Sequence, residues 1–204
     1  MDRKRHWEDV YDVKRSDEVS WYQPRPERSL ELLAAAGAVP ESAVLDVGGG
    51  DSTFVDALVE RGFTDVTVLD LSATALARAR ARLGARAAGV RWIEADVTHA
   101  DLPSAAYDFW HDRALFHFLT DADDRARYAS TAADAVRPGG TLVIATFAAD
   151  GPTRCSGLDV VRYDAAGLAR QFADAFYLVR DLGDVHRTPS GAEQRFTYAM
   201  LRRR

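Results

Sequence analysis

Apolar and β-branched residues recur along the chain in short runs at 43–47, 65–71, 90–95, 107–110 and 140–147, separated by helix-like segments at 52–61, 72–83 and 121–136. Strand and helix in alternation predict a parallel sheet with helices on both faces. The runs Ala43-Val44-Leu45 and Val66-Thr67-Val68-Leu69 are nearly continuous, as strands covered on both faces should be. Ahead of them, Trp7, Val10 and Tyr11 stand at i, i+3 and i+4, so a short helix over 4–14 would carry one aromatic stripe. A polar stretch with Pro24 and Pro26 follows, and Glu27 to Ala36 then reads as a second helix that stops at Gly37. After residue 147 the pattern changes to a Gly/Pro-containing loop, a helix at 164–175, and strand-like runs near 176–182 and 195–202. With no long helix between them, those two runs predict a closing antiparallel hairpin. Residues 1–204 fit one domain.

Composition narrows the class. At 204 residues and 47% hydrophobic, the chain can bury a core without disulfides or metal staples. A formal net charge of −5 gives a mildly acidic surface with no overall attraction for a polyanion, so no nucleic-acid partner is expected. Cys155 stands alone and no Cys/His spacing resembles a zinc site, which points to a reducing cytoplasm and no metal. The basic start, Arg3 to Arg5, lacks the apolar stretch of a signal peptide, and no run approaches membrane-spanning length.

The sharpest motif is Val44-Leu45-Asp46-Val47-Gly48-Gly49-Gly50-Asp51-Ser52, an apolar strand running into a glycine turn that opens a helix. Such a turn lets the backbone approach a ligand closely. Asp46, just before the glycines, would repel a pyrophosphate but can help hold a cationic amino-acid moiety, and Thr53 replaces the third glycine of the dinucleotide pattern. Both features disfavour NAD. Asp70 closes the second strand, where an acidic side chain accepts from ribose hydroxyls. Asp96 follows the third strand, where a carboxylate can take the exocyclic amine of an adenine and Val97 can offer a backbone N–H. Any one of these aspartates alone would more often be a turn or capping residue. Three at successive strand ends lie along the carboxyl edge of the sheet, where open α/β sheets bind ligands.

The series Asp46 to Ser52, Asp70-Leu71-Ser72, Asp96-Val97, Tyr107-Asp108-Phe109 and Arg137-Pro138-Gly139-Gly140 resembles the ordered motif set of class I S-adenosylmethionine-dependent methyltransferases across the whole chain. The resemblance implies a Rossmann-like α/β three-layer sandwich with a seven-stranded, mostly parallel sheet and an antiparallel C-terminal hairpin strand. Under it, 1–36 becomes an N-terminal helical lid, 43–147 the cofactor-binding half, and 148–204 the acceptor-side half and closing hairpin. It assigns Asp46, Gly48, Gly49 and Gly50 to the methionine portion of S-adenosylmethionine, Asp70 to the ribose, and Asp96 with Val97 to the adenine. Trp21, Ser52, Leu71 and His111 complete the expected cofactor set. Phe109-Trp110-His111-Asp112-Arg113-Ala114-Leu115 resembles the Trp-Asp-Arg segment of thiopurine and thiol methyltransferases, with His111 a departure. Trp7, Tyr11 and Trp21-Tyr22-Gln23 are similar to their aromatic N-terminal lid, and Val185 to Pro189 resembles the end of tellurite-resistance methyltransferases.

A sulfonium methyl needs a nucleophile in line within about 3–3.5 Å. A sulfur or selenium anion can attack without a strong base, whereas an alcohol or amine must usually lose a proton. The catalytic candidates are His111, at the end of the fourth strand, and Arg113. Arg113 either holds an acidic substrate, steadies a thiolate, or pairs with Asp112; it shares a face with His117 if that segment is helical. His117, between Phe116 and Phe118, reads as a satisfied, partly buried histidine rather than a catalytic base, and Cys155 as a free structural thiol. The expected activity is methyl transfer to a small-molecule acceptor, a thiol or other chalcogen nucleophile, by a monomer or homodimer. The alternative is a nitrogen or oxygen acceptor, including a protein lysine or terminal amine.

Overall fold

The computed structural model describes residues 2–204. Seven strands form one sheet: β1 (Ala43–Val47), β2 (Asp65–Asp70), β3 (Val90–Glu94), β4 (Tyr107–Arg113), β5 (Val136–Phe147), β6 (Phe176–Arg187) and β7 (Glu193–Arg203). Their order is β3-β2-β1-β4-β5-β7-β6. The pairs among β1 to β5 are parallel, and β7 runs antiparallel to both β5 and β6. A separate two-residue hairpin joins Arg154–Cys155 to Leu158–Asp159. The helices are α1 (Arg3–Val13), α2 (Glu27–Ala35), α3 (Phe54–Glu60), α4 (Ala73–Leu83), α5 (Ala122–Ala135) and α6 (Ala165–Arg170).

Side-chain alternation along the strands divides the core into two faces. Leu45, Val47, Trp110 and Leu142 pack with Tyr128 of α5 and Leu168 of α6. Val44, Val66, Val68 and Phe109 pack on the opposite face with Leu30 of α2, Phe54 of α3 and Leu76 of α4. The result is the three-layer sandwich. Short polar residues start the helices by accepting otherwise orphaned N–H groups. Ser72 caps α4 through Ala75 N, Asp121 caps α5 through Asp123 N, and Asp164 caps α6 through Gly167 N.

Three elements depart from the hydrophobic pattern. Strand β4 continues past residue 110 to Arg113, because Asp112 pairs with Val47 and Arg113 with Ala145 although both side chains are polar. Residue 113 is therefore a strand end, and His117 sits in a separate 3-10 turn, Phe116–Phe118, so the helical face joining them does not form. Helix α6 stops at Arg170. Beyond it the bonds from Phe172 N to Ala169 O and Ala173 N to Arg170 O tighten the chain, and Phe172 and Phe176 both enter the core. The hairpin strands are longer than their apolar runs, since edge strand β6 exposes most of its residues.

One buried chain holds the loop that leaves β4. Trp110 Nε1 donates to Tyr128 Oη at 2.9 Å, and the Tyr128 hydroxyl donates to Asp112 Oδ2 at 2.6 Å. Asp112 Oδ1 then accepts from Leu115 N at 2.9 Å. Tyr128→Phe should therefore destabilise the fold by about 1–3 kcal/mol for each buried group it leaves unpaired. Urea unfolding checks this, and a midpoint equal to that of the parent would contradict it.

Candidate active site

At the carboxyl end of β1 the chain turns through Gly48 with φ +66°, a left-handed conformation that favours glycine. A Cβ there would lie 2.5 Å from Leu115 Cδ1, and one at Gly49 would run into the Asp46 carboxylate. The turn is tied to β2 by Gly48 N, which donates to Leu69 O at 2.8 Å. Asp46 is only 2% exposed. Its Oδ1 lies 2.7 Å from His111 Nδ1, its register neighbour on β4, while Oδ2 has no hydrogen-bond partner. His111 is 3% exposed, its Nε2 is 2.8 Å from Ser29 Oγ of α2, and its ring stacks on Phe54 with centroids 4.0 Å apart. Both ring nitrogens are thus engaged.

Two clefts open along this edge. One is lined by Asp46, Gly48, Gly49, Ser52, His111 and the segment from Ser16 to Pro26. The other, with about 100 Å³ open to water, is bordered by Asp70, Leu71, Asp96 and Val97 on one side. Trp7, Tyr11 and Trp21 form its roof, and Arg113, Leu115, Phe118 and Cys155 its far wall. Tyr11, Trp21, Gly48 and Arg113 border both, so the clefts meet there.

The carboxylates of the larger cleft differ in acidity. Burial lifts Asp70 to about 7, opposed by the bond from Ser72 N and reinforced by the nearby charges of Asp46 and Glu8. Asp96 is held below the ordinary range: burial raises it, but the hydroxyl and N–H of Thr98 and the charge of Arg3 outweigh burial. Asp96 Oδ1 takes both Thr98 bonds, at 2.9 and 2.7 Å, and Arg3 reaches Oδ2 at 3.2 Å.

Arg113 does not pair with Asp112, because adjacent strand residues face opposite sides of the sheet. Its Nε donates to Tyr198 Oη at 3.1 Å, Nη1 donates to Trp21 O at 3.0 Å, and the guanidinium lies 4.6 Å over the Phe196 ring. Nη2 is buried without a partner, and no carboxylate is within ion-pair distance among the described residues. His117 is fully buried, accepts from Phe147 N at 3.2 Å, and is pushed down to about 3 by burial and by Arg113. It is neutral. Cys155 is buried with its Sγ 3.9 Å from Ser20 Oγ, and burial raises its thiol.

Sequence reasoning missed three contributors. Glu8 reaches from α1 to the start of α4, accepting from Ala73 N at 2.6 Å and Ser72 Oγ at 3.0 Å. Asp51, inside the quoted motif, is buried and pairs with both Arg82 and Ser16. Ser29 interrupts the buried apolar face of α2, the one signal that could have exposed it. Among the described residues no three His, Cys, Asp or Glu side chains gather to hold a metal, and no helix is long and apolar enough to cross a membrane.

Acidic strand ends beside a glycine turn line the carboxyl edge of the sheet, where open α/β folds bind nucleoside ligands. Residues 44–140 match the family described as a methyltransferase domain. An uncharacterized methyltransferase of Mycobacterium tuberculosis is 34% identical over 141 residues, spanning 69% of this chain and 68% of that protein. The chain belongs to the S-adenosylmethionine-dependent methyltransferases. Among solved structures, one from a study of disulfide-to-thioacetal conversion in echinomycin biosynthesis is similar at TM-score 0.75 and 23% identity, over 98% of this chain and 92% of that one. The N-methyltransferase NodS of Bradyrhizobium japonicum, bound to S-adenosylhomocysteine, is similar at TM-score 0.75 and 17% identity, over 99% of each chain. At such identities these likenesses establish the fold.

Asp70 links stability to pH. Its folded value of about 7 lies above the unfolded value near 4, so its contribution is complete below about pH 4 and is lost as pH rises through about 7. In cofactor-free protein, Asp70→Asn should therefore raise the melting temperature relative to the parent increasingly from pH 4 to pH 8. A gap independent of pH in thermal melts would contradict the assignment.

Proposed function

We propose that the chain transfers the methyl group of S-adenosylmethionine to a small-molecule thiol or other chalcogen nucleophile enclosed beneath its N-terminal aromatic segment. Asp46, Gly48, Gly49, Gly50, Ser52 and His111 form the methionine end of the cofactor site. Asp70 and Leu71 take the ribose, Asp96 and Val97 the adenine, and Trp21 stands where the two clefts meet. The unpartnered Asp46 Oδ2 supports the methionine assignment, since a buried carboxylate oxygen beside a backbone-lined turn suits an ammonium group. Arg3 does not preclude the adenine contact, because a carboxylate offers about four acceptor sites.

When bound, the cofactor supplies a methyl already activated by its sulfonium. The chain's own task is to place the acceptor in line within about 3–3.5 Å and to exclude water. Trp7, Tyr11 and Trp21 close the roof, with Trp7 edge-on to Phe118 at 5.0 Å and to Trp21 at 5.8 Å.

The observation that carries the acceptor class is the makeup of the far wall. It offers apolar and aromatic surface, one cation whose Nη2 lacks a partner, and no free base. His111 has both nitrogens engaged, and His117 is buried and neutral. An acceptor that attacks as its own anion beside Arg113 fits such a wall, while an amine or alcohol would need a proton acceptor. The similarity to a structure from echinomycin biosynthesis, where sulfur is the reacting element, supports the same reading. The resemblance to thiopurine and tellurite-resistance enzymes agrees with it, and a cytoplasmic monomer or homodimer completes the proposal.

A panel of thiols, selenols, phenols and amines scored by S-adenosylhomocysteine release tests it. Thiols or selenols should turn over, with rates across a thiol series following ionisation of the acceptor. Arg113→Met should lower kcat/KM for thiols about 10–100-fold, the worth of one charge-assisted bond. Methylation of a phenol or amine alone would overturn the chalcogen assignment.

A further inference from the structure

We propose that Ser29 and His111 act as a positioning chain for Asp46, holding its carboxylate with one oxygen engaged and the other turned to the cofactor. This rests on the methionine assignment above and adds residues from outside the motif.

Ser29 is 1% exposed on a helix whose neighbours Leu30, Leu32 and Leu33 are buried apolar residues. A buried hydroxyl on such a face is costly unless it is hydrogen-bonded, and its partner is His111 Nε2 at 2.8 Å. The other imidazole nitrogen lies 2.7 Å from Asp46 Oδ1. Only one proton arrangement of a neutral ring satisfies both contacts favourably. The Ser29 hydroxyl donates to Nε2, and Nδ1–H donates to the carboxylate; the other tautomer would set a lone pair against an anionic oxygen. Stacking on Phe54 fixes the ring plane between them.

Asp46 Oδ1 is thus engaged by the histidine, and Oδ2, which has no partner, is the oxygen that faces a ligand at the Gly49 turn. His111 serves here as a positioning residue. Because α2 follows directly on the segment that carries Trp21, the hydroxyl that holds the ring also ties the N-terminal segment to Asp46.

The experiment combines long-range ¹H–¹⁵N NMR of the His111 ring with calorimetric titration of S-adenosylhomocysteine into the full-length parent, Ser29→Ala and Ser29→Thr. The parent should show the Nδ1–H tautomer. Ser29→Ala should keep the Nδ1–H, shift the Nε2 resonance toward that of a ring nitrogen with no donor, and bind about two- to tenfold more weakly, the range expected for one net hydrogen bond. Its KM for the acceptor should not change. Ser29→Thr, which keeps the hydroxyl, should restore both the Nε2 resonance and the affinity. An Nε2–H tautomer in the parent overturns the chain even if Ser29→Ala fails to fold. Parent-like affinity in a folded Ser29→Ala also overturns it. A parent that does not bind S-adenosylhomocysteine at all would instead fell the cofactor assignment on which the chain rests.

Discussion

A carboxylate buried at the end of β1 imposes most of the local order around the site. Asp46 lies in the interior of a parallel sheet, where an unpaired charge is costly, so its surroundings must supply donors without filling the space beside it. Gly49 meets the second demand by having no Cβ to strike the carboxylate. His111 meets the first from the adjacent strand, and Ser29 orients the histidine from the helix above. Parallel pairing of β1 with β4 puts residues 46 and 111 side by side, so the contact between them is a property of sheet register.

The N-terminal segment is fastened to the rims of the clefts by polar contacts. Glu8 accepts from the first turn of α4, where the helix dipole favours an anion. Arg78 of α4 in turn donates to the carbonyl of Lys14 at 2.6 Å and to that of Tyr11. Arg3 bridges Asp96 to Asp124, each at 3.2 Å. Contacts of this kind hold a covering segment in register through surface polar groups, where the core elements are held by buried apolar packing.

Much of the architecture was legible because buried parallel strands and capped helices leave strong local signals. The run Ala43 to Val47 and helix α4 appear within a residue of where the pattern put them. Asp70, Asp96 and the glycine turn reach one edge because strand ends in this fold must. Legibility failed where tertiary pairing overrode local character. His111 to Arg113 are polar yet complete β4 in mid-sheet, so a pattern search ended the strand too early. Phe172 took a tighter turn in place of the last turns of a helix in order to reach the core. The roles of Ser29 and Glu8 depend on partners more than sixty residues away, which no spacing rule reveals. That His111 is enclosed between Asp46 and Ser29 could be seen only once α2 was placed over the sheet.

The central claim is that the free oxygen of Asp46 receives the amino group of the cofactor. Calorimetric titration of S-adenosylhomocysteine into Asp46→Asn tests it most directly, because the amide keeps the shape of the side chain and removes the charge. Loss of one charge-assisted bond, worth about 1.5–3 kcal/mol, should weaken binding about 10–100-fold in a protein that still folds. A folded Asp46→Asn that binds S-adenosylhomocysteine as tightly as the parent would contradict the account.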